Sequence, residues 1–263
     1  MSDEHKSYLK KIKIRKLVIR IVQIGLLLLA FGLWELSAYF EWSDPFITSS
    51  PSRIVTSIAN LYRSGDLFKH LSATLYETVL SFMLSTVIGV IVAVILWWSA
   101  FLKDVTEPYL IVLNSLPKVA LGPLIIIWVG AGRGAIITMA LLICVIITII
   151  SALTGFLSVD KEKVDLLKAM GANKFQILFK LILPANIPSI ISILKINVGL
   201  SWVGTIMGEY LVSREGIGYL LVYGGQVFKL DLVMASTILL CILATLMYLA
   251  VALIEKLIKR FYK

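Results

Sequence analysis

Three long stretches without any charged residue constrain this chain more than any other feature. They run from Val79 to Ala100, from Ala135 to Phe156 and from Leu232 to Ile254. Each offers at least the roughly 20 apolar positions that an α-helix needs to cross the ~30 Å hydrocarbon core of a bilayer. A helix that is apolar on every side lies in a large core or in lipid, and we therefore predict transmembrane helices here.

The composition favours a membrane protein over a soluble one. Hydrophobic residues make up 59% of the 263 residues and charged residues 16%, against about half and about a quarter in soluble domains. An N-terminal segment and two weaker ones, interrupted by Lys118 and Lys195 and by prolines, complete the pattern. We predict an all-α membrane protein that forms a single domain over residues 1–263, with about six spans at 18–40, 76–100, 108–129, 135–157, 189–210 and 232–255.

The basic residues predict an orientation. With six spans, both termini and the loops at 101–107 and 158–188 share one side, which carries 17 Lys and Arg residues against 6 on the other. The positive-inside rule then predicts cytoplasmic termini, and it accounts for the net charge of +9 without nucleic-acid binding. The stretch from Ile21 to Phe40 follows basic residues as in a signal peptide, but its length and the lack of a small-residue cleavage site favour a retained first span.

The loop at 158–188 is the most informative connection. Helix-forming residues precede Gly171, a typical C-terminal cap, and others follow Asn173, a typical N-terminal cap. We predict two short helices with a tight bend between them, the second ending near Pro184. The loop is too long and too regular for a simple connection, and the alternative is an amphipathic segment lying on the lipid surface.

The spacing in this loop resembles the coupling-loop signature of ABC importer permeases. That signature reads Glu-Ala-Ala, three residues, Gly, nine residues, Ile, one residue, Leu-Pro. Here Asp165-Leu166-Leu167 stands at the Glu-Ala-Ala position, Gly171 matches, and Leu181, Leu183 and Pro184 complete the pattern. The Asp for Glu, the leucines for alanines and the Leu for Ile leave the two helices and the bend intact.

Two other regions are similar to the nitrate/sulfonate/taurine-type permeases. Residues 116–130, which include Leu116-Pro117-Lys118 and Trp128-Val129-Gly130, resemble the third span of those proteins. Residues 199–209, with Gly199-Leu200-Ser201-Trp202 and Gly208-Glu209, followed by Gly216-Ile217-Gly218, resemble the fifth span and outer loop. The resemblance covers most of the chain and implies a type I ABC importer permease fold with cytoplasmic termini.

The resemblance also implies partners. It implies that two copies, most simply a homodimer, form a channel in a bacterial cell (inner) membrane, and that an extracellular or periplasmic solute-binding protein delivers the solute. Two separate cytoplasmic ATPase subunits would use ATP and Mg, whereas this chain would be non-catalytic and bind no cofactor. The residues implied to couple to the ATPase are Asp165, Leu166, Leu167, Ala169, Met170, Gly171, Ala172, Asn173, Phe175 and Pro184.

Polar residues inside the spans are candidates for the substrate pathway. Lys118 lies ten residues into the third span, about 15 Å deep, between two prolines that predict a kinked or broken helix. It either attracts an anion in the pathway or has a structural partner such as Glu35 or a backbone carbonyl. Lys195 fits a snorkelling or gating contact. Asn114, Asn197, Ser201 and Trp202 complete the pathway candidates, although small polar residues also join packed helices.

Several alternatives are less favoured by the sequence. The chain has no P-loop, no HExxH, no CxxC and no histidine cluster, and Cys144 and Cys241 fit small buried hydrophobes. A membrane enzyme should show clustered polar residues near one interface. A stand-alone secondary transporter or channel should show more spans, inverted repeats or a run of intramembrane carboxylates. In this sequence only Glu35 is clearly expected inside the membrane, while Glu209 is expected to end the fifth span. The substrate stays open between a sulfonate-, nitrate- or taurine-like anion and a vitamin-precursor-like compound.

Overall fold

The computed structural model describes residues 3–42 and 44–261, and in that part of the chain all regular structure is helical. Lys263, which was counted in the orientation argument, lies outside the described residues. The helices are α1 (Asp3–Tyr39), α2 (Pro45–Thr48), α3 (Pro51–Arg63), α4 (Asp66–Trp98), α5 (Ala100–Ser115), α6 (Gly122–Val129), α7 (Arg133–Leu157), α8 (Lys161–Ala169), α9 (Lys174–Ile177), α10 (Leu183–Val212), α11 (Ile217–Gln226) and α12 (Leu230–Phe261), with a 3₁₀ turn at Lys118–Leu121 and a π-helical segment at Leu178–Ile182.

The described residues contain up to six candidate spans, in agreement with the prediction of about six. Five single helical stretches are long and apolar enough to span a bilayer, and the sixth crossing is α5 together with Lys118–Val129, bent by 89°. The bent pair begins next to Trp98 at one end of the bundle and leads into α7 at the other, so it crosses as a broken span. The break follows Ser115, which confirms the prediction from the flanking prolines.

Three predicted boundaries are wrong. The loop expected at 101–107 lies inside α5, because Ser99 Oγ accepts a hydrogen bond from Leu102 N and starts that helix at once. The second span begins at Asp66, ten residues earlier than expected. The helix after Asn173 does not end near Pro184 but continues through the π-helical segment into α10, since local π-type hydrogen bonding lets a membrane helix tolerate an internal proline.

The core consists of α4, α7 and α10, which approach closely at small residues. Gly204 and Gly208 on α10 pack on Ala140 and Ile136 of α7, and a side chain at either glycine would collide with the α7 backbone. Such small residues four positions apart let membrane helices approach closely. By contrast, the apolar stretch of α1 buries no residue within the chain, which leaves it for lipid or another subunit.

The bundle has two distinct ends. At the elbow end, α4 reaches Trp98 and the α8–α9 segment folds beneath it; at the cap end, α4 begins and α10 finishes at Val212. Short α3 ties the cap end together, since Arg53 Nη2 lies 2.8 Å from Asp231 Oδ2 of α12 and Glu35 of α1 accepts a 3.0 Å hydrogen bond from Ser52 N.

Candidate functional site: the elbow and the buried cap

The elbow, residues 158–183, is a helix pair joined by a closed turn. Gly171 has φ +82°, and its N–H donates to Lys168 O at 2.9 Å while Ala172 N donates to Leu167 O at 2.9 Å, the two bonds of a Schellman C-cap. Asn173 then begins the next helix with a reciprocal capping box to Gln176, both bonds 2.9 Å long. The predicted cap residues and bend are therefore confirmed.

One face of the elbow is anchored to the bundle. Leu167 and Ala172 pack against the core cluster that contains Ile177 and Ile182. The Phe175 ring lies 4.6 Å from the Trp98 ring, centroid to centroid, and Lys174 Nζ donates to Trp98 O at 3.2 Å. These contacts hold the elbow against the last turn of α4, so it cannot move independently of the spans.

The other face of the elbow is exposed and apolar. Leu166 of α8 and Met170, one turn further at the C-cap of that helix, are 61% and 75% exposed, and Asp165 with Lys168 forms an ion pair beside them. Among the predicted coupling residues, Leu167 and Ala172 point inward and Pro184 lies in the first turn of α10. The exposed members are Asp165, Leu166, Ala169, Met170, Gly171, Asn173 and Phe175.

The elbow is continuous with a long rod. Lys174–Val212 is one helical stretch of 39 residues, which corresponds to about 58 Å at 1.5 Å per residue. The π-helical segment at Leu178–Ile182 lies just inside its elbow end, and π-bulges occur frequently at functional sites. One helical stretch therefore connects the elbow with the cap end.

The two lysines inside the weaker spans, Lys118 and Lys195, have partners within the chain. Lys118 Nζ donates to Asn114 O at 3.0 Å across the break between α5 and α6, a backbone carbonyl that the end of α5 leaves free. Glu35 instead binds Ser52, and Lys195 forms an ion pair with Glu255 of α12. Each lysine thus has a structural contact, as the structural interpretation expects, and a pathway role for Lys118 stays a prediction.

The remaining pathway candidates lie in a different environment. Asn197 is fully buried and donates to Thr148 Oγ1 at 2.8 Å, Ser201 Oγ donates to Val198 O, and Trp202 packs with Phe82. Asn114, in contrast, is exposed at the end of α5. The structure does not bring the five candidates together, and their lining of a pathway remains a prediction.

A second site, the buried cap, has no counterpart in the sequence predictions. It is the first turn of α11, where three consecutive N–H groups lack partners within the helix. Gly216 N donates to His70 Nδ1 at 2.9 Å and Ile217 N to Thr74 Oγ1 at 2.7 Å, while Gly218 N donates to the Glu209 carboxylate. Side chains of α4 and α10 thus hold α11 from two sides.

The cap requires its glycines for space as well as for backbone conformation. Gly216 has φ +108°, and a Cβ on Gly216 or Gly218 would overlap the carboxylate of Glu209. The His70 ring also stacks on Tyr219 at 5.9 Å between centroids. No residue larger than glycine fits while Glu209 keeps its bond.

Two carboxylates lie inside this site. Glu77 and Glu209 belong to the spans α4 and α10 and are 0% and 1% exposed. Arg133 Nε at the start of α7 lies 3.8 Å from Glu77 Oε1, and the same guanidinium pairs with Glu215. The described residues contain no group of three or more His, Cys, Asp or Glu side chains that could hold a metal ion.

An open cleft of about 960 Å³ adjoins the buried cap. It lies between α3, α4, α11 and the start of α12, and Tyr219 and Tyr223 form part of its wall. Lys69, Arg214 and Lys229 line it as exposed cations. The cleft at the cap end is therefore lined in part by basic and aromatic side chains.

Comparison with known proteins covers both the elbow and the cap. Residues 85–261 match the family model described as binding-protein-dependent transport system inner membrane component. The formylaminopyrimidine transport permease protein ThiX of Halalkalibacterium halodurans is 29% identical over 73% of this chain and 76% of its own length. The taurine transport system permease protein TauC of Escherichia coli is 24% identical over 89% of this chain and 87% of its own.

Solved structures show the same fold. A chain of the MetNI methionine ABC transporter, in an inward-facing conformation, matches with a TM-score of 0.63 at 23% identity over 71% of this chain and 93% of its own. A chain of a bacterial ABC transporter involved in the import of the acidic polysaccharide alginate matches with a TM-score of 0.63 at 16% identity over 93% of this chain and 98% of its own. The predicted all-α importer permease fold is confirmed.

Proposed function

Because this chain belongs to the family of binding-protein-dependent transport system inner membrane components, we propose that its elbow is the surface on which a separate ATPase subunit acts. The chain is a multi-pass permease subunit of an ABC importer for a small solute, rather than a stand-alone secondary transporter. The elbow has one exposed face that a partner could contact and one face that is packed against the spans.

The observation that carries this proposal is the exposed apolar face of the elbow. Leu166 and Met170 are exposed on a helix whose opposite face is packed into the core. An exposed apolar patch rimmed by charged residues is typical of a protein–protein contact. We assign the partner as a cytoplasmic ATPase with bound ATP and Mg, one for each of two permease copies, and expect no cofactor on this chain.

The rod explains how such a contact would drive transport. A push on the elbow would move Lys174–Val212 together with α7, which packs on it at Gly204 and Gly208, and with α4, which also contacts α10. The cap end would then open or close around a pathway between the two copies. In this scheme the elbow end and both termini are cytoplasmic, and the membrane is a bacterial cell membrane.

The cap end would face the solute-binding protein. Relatives carry names for taurine, aliphatic sulfonate and formylaminopyrimidine transport, and we propose for this chain a solute of the same kinds, either a small organic anion or a vitamin-precursor-like compound. Titration calorimetry of the partner binding protein with taurine, an alkanesulfonate and a formylaminopyrimidine separates these classes.

Site-directed crosslinking tests the proposal. In a variant without native cysteines, Met170→Cys should crosslink to the ATPase in membranes, and the yield should change when ATP is added. Lys229→Cys is the control, since Lys229 is also exposed but lies at the cap end, the other end of the bundle. Capture of the ATPase from Lys229→Cys and not from Met170→Cys would reverse the assignment, and capture from neither would remove it.

A further inference from the structure

The two buried carboxylates of the cap face one another. Glu77 of α4 and Glu209 of α10 are neighbours in this site, and neither side chain is exposed to solvent. Both oxygens of Glu77 and Oε1 of Glu209 lack a hydrogen-bond donor. Buried polar atoms without partners are rare in folded proteins, and each requires an explanation such as an ion, a water or a proton.

The charges around the pair do not balance. Arg133 is the cation nearest to Glu77, with Nε 3.8 Å away, and it also pairs with Glu215. His70 adds no charge in this arrangement, because its Nδ1 accepts a hydrogen bond from Gly216 N. Arg133 thus pairs with two carboxylates, and Glu209 adds a third acidic group beside Glu77.

The other charged groups nearby do not change this balance. Asp66 and Lys69, of opposite sign, flank His70 on the first turns of α4, and Arg214 is exposed in the α10–α11 connection. Tyr210, next to Glu209, is a phenol that is neutral near pH 7. No described residue on α11 or α12 brings another charge to Glu77 or Glu209.

We propose that Glu77 and Glu209 form a binding site for one proton, which the two carboxyl groups share. One carboxyl carries the O–H and donates it to an unpartnered oxygen of the other, so the buried pair holds one negative charge instead of two. The proton comes from water and no other bond changes. This leaves one negative charge on the pair, beside that of Glu215, to be matched by Arg133, and it leaves Glu209 able to accept from Gly218 N.

The shared proton couples the cap to pH. Two like charges in contact in a buried site disfavour each other's ionised form, so the folded protein holds a proton that the unfolded chain releases near neutral pH. Stability is then present at low pH and is lost as rising pH strips the site. The inference rests on the geometry of the cap and does not depend on transport.

Infrared spectroscopy of the protein in nanodiscs tests the site directly. At neutral pH the wild type should show the carbonyl band of a protonated carboxylic acid, and the band should disappear at alkaline pH. Glu77→Gln should remove it, because the amide replaces the O–H as a permanent donor to Glu209. Glu107→Gln, an exposed acid on α5, should leave it unchanged.

Thermal unfolding provides the second measurement. From about pH 6 to about pH 9, the wild-type melting temperature should fall more steeply than that of Glu77→Gln. If Glu77→Gln does not fold, the wild-type infrared band decides alone. Absence of that band, its persistence in Glu77→Gln, or a melting temperature that follows Na⁺ or K⁺ instead of pH would each overturn the shared proton.

Discussion

The elbow and the buried cap are both glycine turns at the ends of the same rod, Lys174–Val212, yet they are held in different ways. At the elbow, the free N–H groups around Gly171 and Asn173 bond to residues at most five positions away. At the cap, the N–H groups of Gly216 and Ile217 bond to side chains 146 and 143 positions away. The elbow is thus a local structure on which a partner can act, whereas the cap exists only when α4, α10 and α11 are assembled.

The largest expected effect is at the cap glycines. Gly216→Ala forces a side chain into a positive-φ residue and against the Glu209 carboxylate, and we expect it to lower the free energy of unfolding by about 3 kcal/mol. Gly225→Ala, on α11 with open space around it, is the control and should be near neutral. Thermal unfolding in detergent measures both, and equal melting temperatures for the two variants would contradict the tertiary origin of the cap.

A smaller effect is expected when the cap loses one acceptor. Thr74→Val keeps the shape of a fully buried side chain but leaves Ile217 N without a partner, and an unsatisfied buried donor costs about 1 to 3 kcal/mol. Thr154→Val on exposed α7 surface, whose hydroxyl only returns to Ile150 O, should change stability much less. Hydrogen exchange at Ile217 should speed up in Thr74→Val alone; unchanged protection would mean that the bond does not hold the turn.

The elbow glycine should be less sensitive than the cap glycines. Gly171→Ala meets open space, so its strain is only the left-handed backbone, roughly 1 to 2 kcal/mol. Gly171→Asn should recover much of this, because asparagine tolerates that conformation. Two results would contradict this prediction together: equal stability of Gly171→Ala and Gly171→Asn, and a loss of unfolding free energy in Gly171→Ala as large as that in Gly216→Ala. Glycine would then not be needed for backbone conformation at the elbow and for space at the cap.

The contrast also explains what the sequence could predict. Apolar runs located the spans, and the elbow followed from Gly171 and Asn173, because helix caps are encoded by neighbouring residues. The cap could not be predicted, since nothing local links His70 and Thr74 to Gly216. One signal was available: His70, Thr74 and Glu77 recur at one helical turn at the start of α4, a polar stripe that extends an apolar span.

The same reasoning explains the wrong boundaries. Hydropathy marks where a helix meets lipid, not where it begins, so the first ten residues of α4, in which polar and apolar residues are mixed, were missed. At its other end, α4 is separated from α5 by Ser99 alone. A connection of one residue is too short to be recognised as a loop from amino-acid composition. The helix end predicted near Pro184 was wrong because the sequence does not distinguish a proline that a helix tolerates, as at the start of α10, from one that ends a helix.

The smallest effect on stability is expected at the break between α5 and α6, a third turn, where an exposed contact from Lys118 caps the end of α5. Lys118→Met removes one part-exposed hydrogen bond to Asn114 O, and we expect a loss of about 0.5 to 1 kcal/mol. Transport separates its two interpretations, because a lysine that attracts an anionic solute contributes to flux without contributing to folding. We expect uptake of such a solute to fall about tenfold, the factor that corresponds to ~1.4 kcal/mol, while Lys103→Met on the same broken span, where Lys103 pairs with Asp104, leaves uptake near wild type. Equal uptake in the two variants would mean that Lys118 only caps the end of α5. The anion pathway would then have no charged candidate in the described part of this span.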